Sequence, residues 1–164
     1  MAVFPFLLFI LTLIPLNIVY NRSSNAKEEV LGRANLILNS GEIGNIDQTI
    51  SRWFANKTDS AHIKKINRVR QILLDAPPKG YGDAYKLFAE SDSIFKDMLN
   101  NLRCPVLYLT GSQDPNSNSR MSQEMASQTP KGLTKSIDNE AHMMAYIAPE
   151  KVNPIIEDFL KENE

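Results

Sequence analysis

The chain is 164 residues long, 43% hydrophobic and 23% charged, with a formal net charge of −1. That length supports one domain with a real core, and the near-neutral balance gives no electrostatic basis for binding nucleic acid. One cysteine, Cys104, excludes an internal disulfide and a multi-cysteine metal site, and two histidines, His62 and His142, leave no material for a His-rich zinc centre.

The chain opens on an apolar run. Of the first 20 residues only Pro5, Thr12, Pro15 and Asn17 fall outside the apolar set, and no charged side chain precedes Arg22. Such a run is long enough to span a bilayer. Its second half also reads as a buried parallel strand over residues 13–20, because a strand covered on both faces lacks alternation. Pro15 tells against a central strand, since it cannot donate to the ladder. A cleaved signal peptide fits less well: no basic residue leads the run and no small-x-small site precedes Arg22. Strand and membrane anchor both stand as expectations for residues 1–20.

Residues 21–100 predict a helical block. Ser23-Ser24-Asn25 offers capping side chains, with Glu28 three positions after Asn25. Val30, Leu31, Ala34, Ile37 and Leu38 then share a face, and Gly41 and Gly44 end the helix. Ile46, Ile50, Trp53 and Phe54 form a second short amphipathic piece. A third helix follows Ser60, striped by Ile63, Ile66, Val69 and Leu73; its Lys64, Lys65, Arg68 and Arg70 read as a solvated face. Pro77-Pro78 stops it. A fourth helix starts near Gly80 with Tyr81, Ala84, Tyr85 and Phe88 together. A fifth, shorter piece holds Ile94, Phe95, Met98 and Leu99.

From residue 101 the pattern changes. Residues 106–110 are β-rich between Pro105 and Gly111. A helix over 117–128 is expected, capped by Ser117, with Met121 and Met125 inward. A second strand covers 133–137. Pro149 suits the first turn of a closing helix, whose inner stripe is Val152, Ile155, Ile156, Phe159 and Leu160; Pro154 is expected to delay or kink it. The fold class is therefore α/β: a helical block, then a βαβα unit of a parallel sheet. Two strands alone do not make a stable sheet.

Asp114 follows the first of these strands and His142 the second, and the carboxyl ends of parallel strands are where sites form. The run Arg103-Cys104-Pro105-Val106-Leu107-Tyr108-Leu109-Thr110-Gly111-Ser112-Gln113-Asp114 resembles the acid-bearing strand and loop of α/β-hydrolases. Asn139-Glu140-Ala141-His142-Met143, followed by Ala148-Pro149-Glu150-Lys151-Val152, resembles their histidine loop and closing helix. Arg52-Trp53-Phe54 and Gly80-Tyr81-x-x-Ala84-Tyr85-x-x-Phe88 resemble the helical cap of the enol-lactonase and carboxylesterase-like branch. The resemblance covers residues 13–164, the C-terminal half or more of such a protein. It implies a partial α/β-hydrolase fold: an apolar segment 1–20, a cap 21–100 and a core part 101–164. It implies Asp114 as the acid and His142 as the general base. An imidazole exchanges protons near neutral pH, and a carboxylate on its other nitrogen fixes the tautomer. Asp138 and Glu140 lie too close to His142 in sequence to replace Asp114. Trp53, Phe54, Tyr81, Tyr85 and Phe88 are the cap aromatics implied to line the pocket, although helix-spaced aromatics also pack. His62 reads as a surface residue of the cap, with no acid pattern near it.

The family's chain order is nucleophile, acid, histidine. No glycine here is followed two residues later by Ser, Cys or Asp, so the nucleophile elbow is absent from these 164 residues. Ser112 shares the acid's loop, and Cys104 reads as packing. The resemblance implies a complete enzyme that hydrolyses a small ester, lactone or related acyl substrate by a Ser-Asp-His mechanism. This chain then reads as a truncated or inactive form, or as a non-catalytic membrane-anchored or partner-binding relic. The implied partners are the acyl substrate and either a missing N-terminal half or a second copy. The implied location is the cytoplasm, with an N-terminal anchor as the alternative. No Gly-x-Gly-x-x-Gly is present, and no cofactor or metal is expected.

Overall fold

The computed structural model describes residues 11–91, Ile94 and residues 96–164. The first half of the apolar run and Phe95 of the fifth expected helix lie outside the described residues. The sheet is built on β1 (Val106–Gly111) and β2 (Gly132–Ile137), paired in parallel from Val106 opposite Gly132 to Gly111 opposite Ile137. Segment 13–17 pairs in parallel with the other side of β1, Leu13 opposite Val106 and Leu16 opposite Leu109. Leu13 N–H donates to the Pro105 carbonyl, Leu107 N–H to Leu13, Leu109 N–H to Pro15, and Asn17 N–H to Leu109. One rung is missing from that series: the Leu107 carbonyl faces the nitrogen of Pro15, which has no hydrogen to give. This is why the pairing breaks into two isolated bridges rather than a continuous strand. It leaves β1 central, with all six of its residues buried, and β2 as an edge with Leu133 exposed.

Segment 13–17 is thus strand-paired but not the buried strand expected, since Leu16 and Ile18 are 39% and 41% exposed. Residues 11–20 carry no helix. Among the described residues no helix is long and apolar enough to cross a membrane. What the structure shows for the second half of the run is the pairing of segment 13–17 with β1.

The helical block forms four helices. α1 (Ser24–Ser40) is capped by Ser23, whose hydroxyl accepts from Ala26 N–H, and ends at Gly41 with φ 71°, a conformation glycine adopts without strain. The cap is Ser23 rather than Asn25, so Glu28 is not placed for a capping box. α2 (Ile46–Trp53) and α3 (Ser60–Asp75, capped by Asp59) follow. α4 (Pro78–Glu90) begins two residues before Gly80 because Pro78 takes the first helical position, where its missing N–H costs nothing. α1 and α4 pack closely at Gly82, where a Cβ would come within 2.8 Å of Leu38 Cγ. A 3-10 turn, Lys96–Asn101, stands in place of the fifth helix.

In the C-terminal part α5 (Ser119–Gln128) connects β1 to β2. Its cap is Asn118, which accepts from Met121 N–H, and not Ser117, whose hydroxyl is committed to Asp114. A short α6 (Met144–Ile147), not expected from the sequence, precedes α7 (Pro149–Lys161), which continues through Pro154. Leu160, expected inward, is 40% exposed.

Successive residues of β1 point to opposite sides of the sheet. Leu107 and Leu109 join Met144, Val152 and Phe159 on one side, while Val106 and Tyr108 join Met121, Met125 and Tyr20 on the other. A third cluster gathers Ile50, Phe54, Ile66, Val69 and Leu73 of the helical block with Ile147 and Ala148 of the C-terminal part. The cap and the core part are therefore joined by shared apolar burial.

Replacing Pro15 by alanine supplies the missing donor opposite the Leu107 carbonyl. The new amide at position 15 is expected to exchange slowly with deuterium. Stability should rise by no more than about 1 kcal/mol, because a net hydrogen bond of that size is offset by the lost restriction of proline in the unfolded chain. An amide at that position exchanging like an exposed one would contradict the pairing.

Candidate active site

The turn after β1 buries Asp114 at 2% exposure. Its Oδ1 accepts the backbone N–H groups of Asn116 at 2.9 Å and Ser117 at 3.1 Å, the local closure that makes Asp a turn former. Its Oδ2 accepts from Asn17 Nδ2 at 2.8 Å, Ser117 Oγ at 2.7 Å and His142 Nδ1 at 2.8 Å. Burial alone would push this carboxyl up. Hydrogen bonds from the His142 ring and from the Ser117 hydroxyl and N–H, with the attraction of His142, outweigh it and hold the group far below the usual carboxylate range.

Asn17 reaches Asp114 because the chain turns sharply at the end of segment 13–17, with φ 50° at Asn17, a region asparagine tolerates better than most residues. Thr110, at the end of β1, lies 3.3 Å from Asn17 Nδ2 and donates its hydroxyl to the Ser117 carbonyl at 2.5 Å.

His142 is delivered by contact between the loops after the two strands. Gln113 N–H donates to the Glu140 carbonyl at 2.8 Å, Ser112 N–H to Ile137 at 3.0 Å, and Asn139 N–H to Ser112 Oγ at 3.0 Å. The approach is so close that a Cβ on Gly111 would lie 2.3 Å from the Glu140 carbonyl oxygen. With Nδ1–H given to an ionised carboxylate, the neutral ring keeps its lone pair on Nε2. The Trp53 ring lies 5.8 Å from the imidazole, centroid to centroid, and Trp53 O accepts from Met143 N–H at 3.0 Å. His142 remains 32% exposed at its side chain and borders a cavity of about 350 Å³.

Of the expected pocket aromatics, Trp53, Tyr85 and Phe88 line that cavity with His142. Tyr81 lines a neighbouring one inside the cap. Phe54 is 1% exposed within the cap's apolar cluster and lines neither. Glu140 is buried and takes no part as an acid to His142; its Oε1 accepts from Lys57 at 3.1 Å and Lys151 at 2.6 Å. His62 does have an acid beside it, Asp59 at 2.7 Å, the cap residue of its own helix. Asn17 and the Ser117 hydroxyl were not singled out by the sequence. Asn17 is the one amide side chain in the apolar run, a signal without a direction. Among the described residues no group of three or more His, Cys, Asp and Glu is placed to hold a metal.

Asp114→Asn places an amide where three donors converge on Oδ2, and stability should fall by roughly 1–3 kcal/mol at neutral pH. Because the folded-state pKa is depressed, the carboxylate's contribution is complete above its ordinary value of 3.8 and fades as pH falls toward the folded value. The gap between wild type and Asp114→Asn should therefore narrow on acidification, as read by denaturant titration. A gap independent of pH would contradict the network. Gly111→Ala should cost about 1–3 kcal/mol by overpacking and perturb the NMR signals of the His142 ring; an unperturbed ring would mean the loops are not in contact.

No family model matches the chain. It is 38% identical over 148 residues to the (E)-2-((N-methylformamido)methylene)succinate hydrolase of Acinetobacter baylyi, an alignment covering 89% of this chain and 54% of that protein. It is 30% identical over 83 residues to 3-oxoadipate enol-lactonase 1 of the same organism, covering 51% of this chain and 30% of that protein. Among solved structures it is similar to a thermophilic esterase from Thermogutta terrifontis, with TM-score 0.78 and 28% identity over 93% of this chain and 56% of that one. The chain thus spans about half the length of the curated relative it matches most extensively. With Asp114 and His142 in contact at the ends of adjacent parallel strands beneath the helical block, the chain has the C-terminal part of the α/β-hydrolase fold.

Proposed function

We propose that this chain supplies the general base and the acid of an acyl hydrolase acting on a small ester, lactone or related compound. The observation that carries the reading is the contact of His142 Nδ1 with Asp114 Oδ2 at 2.8 Å. The relatives named as a succinate-derivative hydrolase, an enol-lactonase and an esterase support the reaction class.

In the proposed reaction a serine hydroxyl from outside these residues adds to the acyl carbon while His142 Nε2 takes its proton. Collapse of the tetrahedral intermediate expels the leaving oxygen, which receives that proton from the imidazolium. Water then attacks the acyl-serine, giving its proton to Nε2. The second collapse releases the acid product and returns the proton to serine. Asp114 stays ionised throughout and stabilises the imidazolium. Ser117 is not the nucleophile: its hydroxyl lies on the Nδ1 side of the ring, 3.4 Å from Nδ1, and donates to Asp114.

The nucleophile and oxyanion donors would come from an N-terminal half or from a second chain, and without them the chain would be inactive. A partner-binding, non-catalytic role is the second reading; the exposed apolar side chains of Leu11, Leu16 and Ile18 favour it. We propose a cytoplasmic location, with anchoring through the N-terminal segment, residues 1–20, as the alternative, and cell fractionation separates the two.

In a form that carries the nucleophile, His142→Ala and Asp114→Asn are each expected to lower kcat for ester hydrolysis by about 10³-fold or more, with the fold retained by circular dichroism. Near-normal turnover in His142→Ala would sink the assignment.

A further inference from the structure

Two arginines of the cap stand between the cavity that His142 borders and a deeper one of about 210 Å³ among the cap helices. Arg33 on α1 and Arg52 on α2 line both, together with Tyr85. Each has a buried Nε without a hydrogen-bond partner. Among the described residues Arg33 makes no hydrogen bond or ion pair, and Arg52 reaches only Thr49 Oγ1 at 3.4 Å. Arg70 and Arg120, by contrast, are paired with Asp47 and Glu124. The acids bordering the two cavities, Glu29 and Glu42, are exposed and ion-paired with neither arginine. The positive field of the pair extends into the deeper cavity. Burial and the neighbouring Tyr85 push the Tyr81 phenol up, while Arg52 and Arg33 pull it down.

Buried donors without acceptors are costly and uncommon. A guanidinium offers a planar fork that matches a carboxylate with two parallel hydrogen bonds. No lysine lines either cavity among the described residues, and apolar groups such as Ile37, Ile43 and Leu73 line the deeper one, which suits a carboxylate on a short carbon chain better than a phosphate.

We infer that Arg33 and Arg52 form a carboxylate-binding subsite in the cap, so that the compound whose acyl bond lies at His142 carries a second, ionised carboxyl group held away from the reacting bond. The placement of the acyl bond rests on the proposed hydrolase function; the carboxylate site does not.

The test is isothermal titration calorimetry of the full chain at neutral pH with succinate, its uncharged dimethyl ester and inorganic phosphate. Succinate should bind one to one, and the ester and phosphate should bind roughly tenfold more weakly or worse. Arg33→Met and Arg52→Met should each weaken succinate by roughly tenfold, while Arg68→Met, exposed and lining neither cavity, leaves it unchanged. In the wild type, which needs no substitution to fold, the Nε–H NMR signals of Arg33 and Arg52 should shift on adding succinate. Absent binding, equal affinity for the ester, tighter phosphate, unmoved arginine signals or full retention in both methionine variants would each overturn the subsite. None of these outcomes reads hydrolysis, so failure here is distinct from failure of the catalytic assignment.

Discussion

Three parts of the chain converge on one carboxylate oxygen, Oδ2 of Asp114: Asn17, 97 residues before it, Ser117 in its own turn, and His142, 28 residues after it. An ionised carboxylate buried without partners would cost several kcal/mol or take up a proton. Here the burial is matched by donors on both oxygens, so the group stays charged and the turn after β1 stays closed. The charge in turn decides the chemistry of the imidazole. A carboxylate that takes the Nδ1 proton of the neutral ring in a hydrogen bond leaves the lone pair on Nε2. One filled acceptor thus fixes a loop, a tautomer and the end of a strand.

The ring's position depends on backbone contact as much as on the carboxylate. Gly111 lets the Glu140 carbonyl pack against the end of β1, which sets where residue 142 can lie. The same Glu140 turns its side chain the other way, to Lys57 beyond α2 and Lys151 in α7, while its Oε2 has no partner among the described residues. Such a buried pair adds little net stability over an apolar substitute, but removing one member leaves an uncompensated charge. Its physical consequence is therefore positional. With the Trp53 carbonyl bonded to Met143 N–H, it ties the helical block to the loop after β2 at two residues that flank His142 in sequence.

The meeting of Asp114 and His142 was legible because each follows a short β-rich run bounded by Pro or Gly, and two such runs separated by one helix leave little choice of topology. The helices were legible from their stripes. The role of the stripe was not. Trp53 and Phe54 are adjacent in an amphipathic piece, yet Trp53 faces His142 and Phe54 disappears into the cap core, because periodicity shows that a face is buried without showing against what. Asn17 was illegible for a related reason: its partner lies 97 residues away, and no local pattern records that distance. Capping was read one residue off at α5, since Ser117 and Asn118 are both good caps and only the tertiary demand of Asp114 for a hydroxyl decides between them.

Pro15 illustrates how firmly the contact between Asn17 and Asp114 is held. It removes one rung from the pairing of segment 13–17 with β1, yet the rungs on either side remain, and Asn17 just beyond them still reaches Asp114. A side chain held by flanking backbone bonds tolerates the loss of one, because the geometry is over-determined. The same holds for the pair as a whole. Among the described residues five hydrogen bonds reach Asp114, two from backbone N–H groups of its own turn and three from side chains. The bond from His142 Nδ1 therefore lands on a carboxylate already fixed by its other donors.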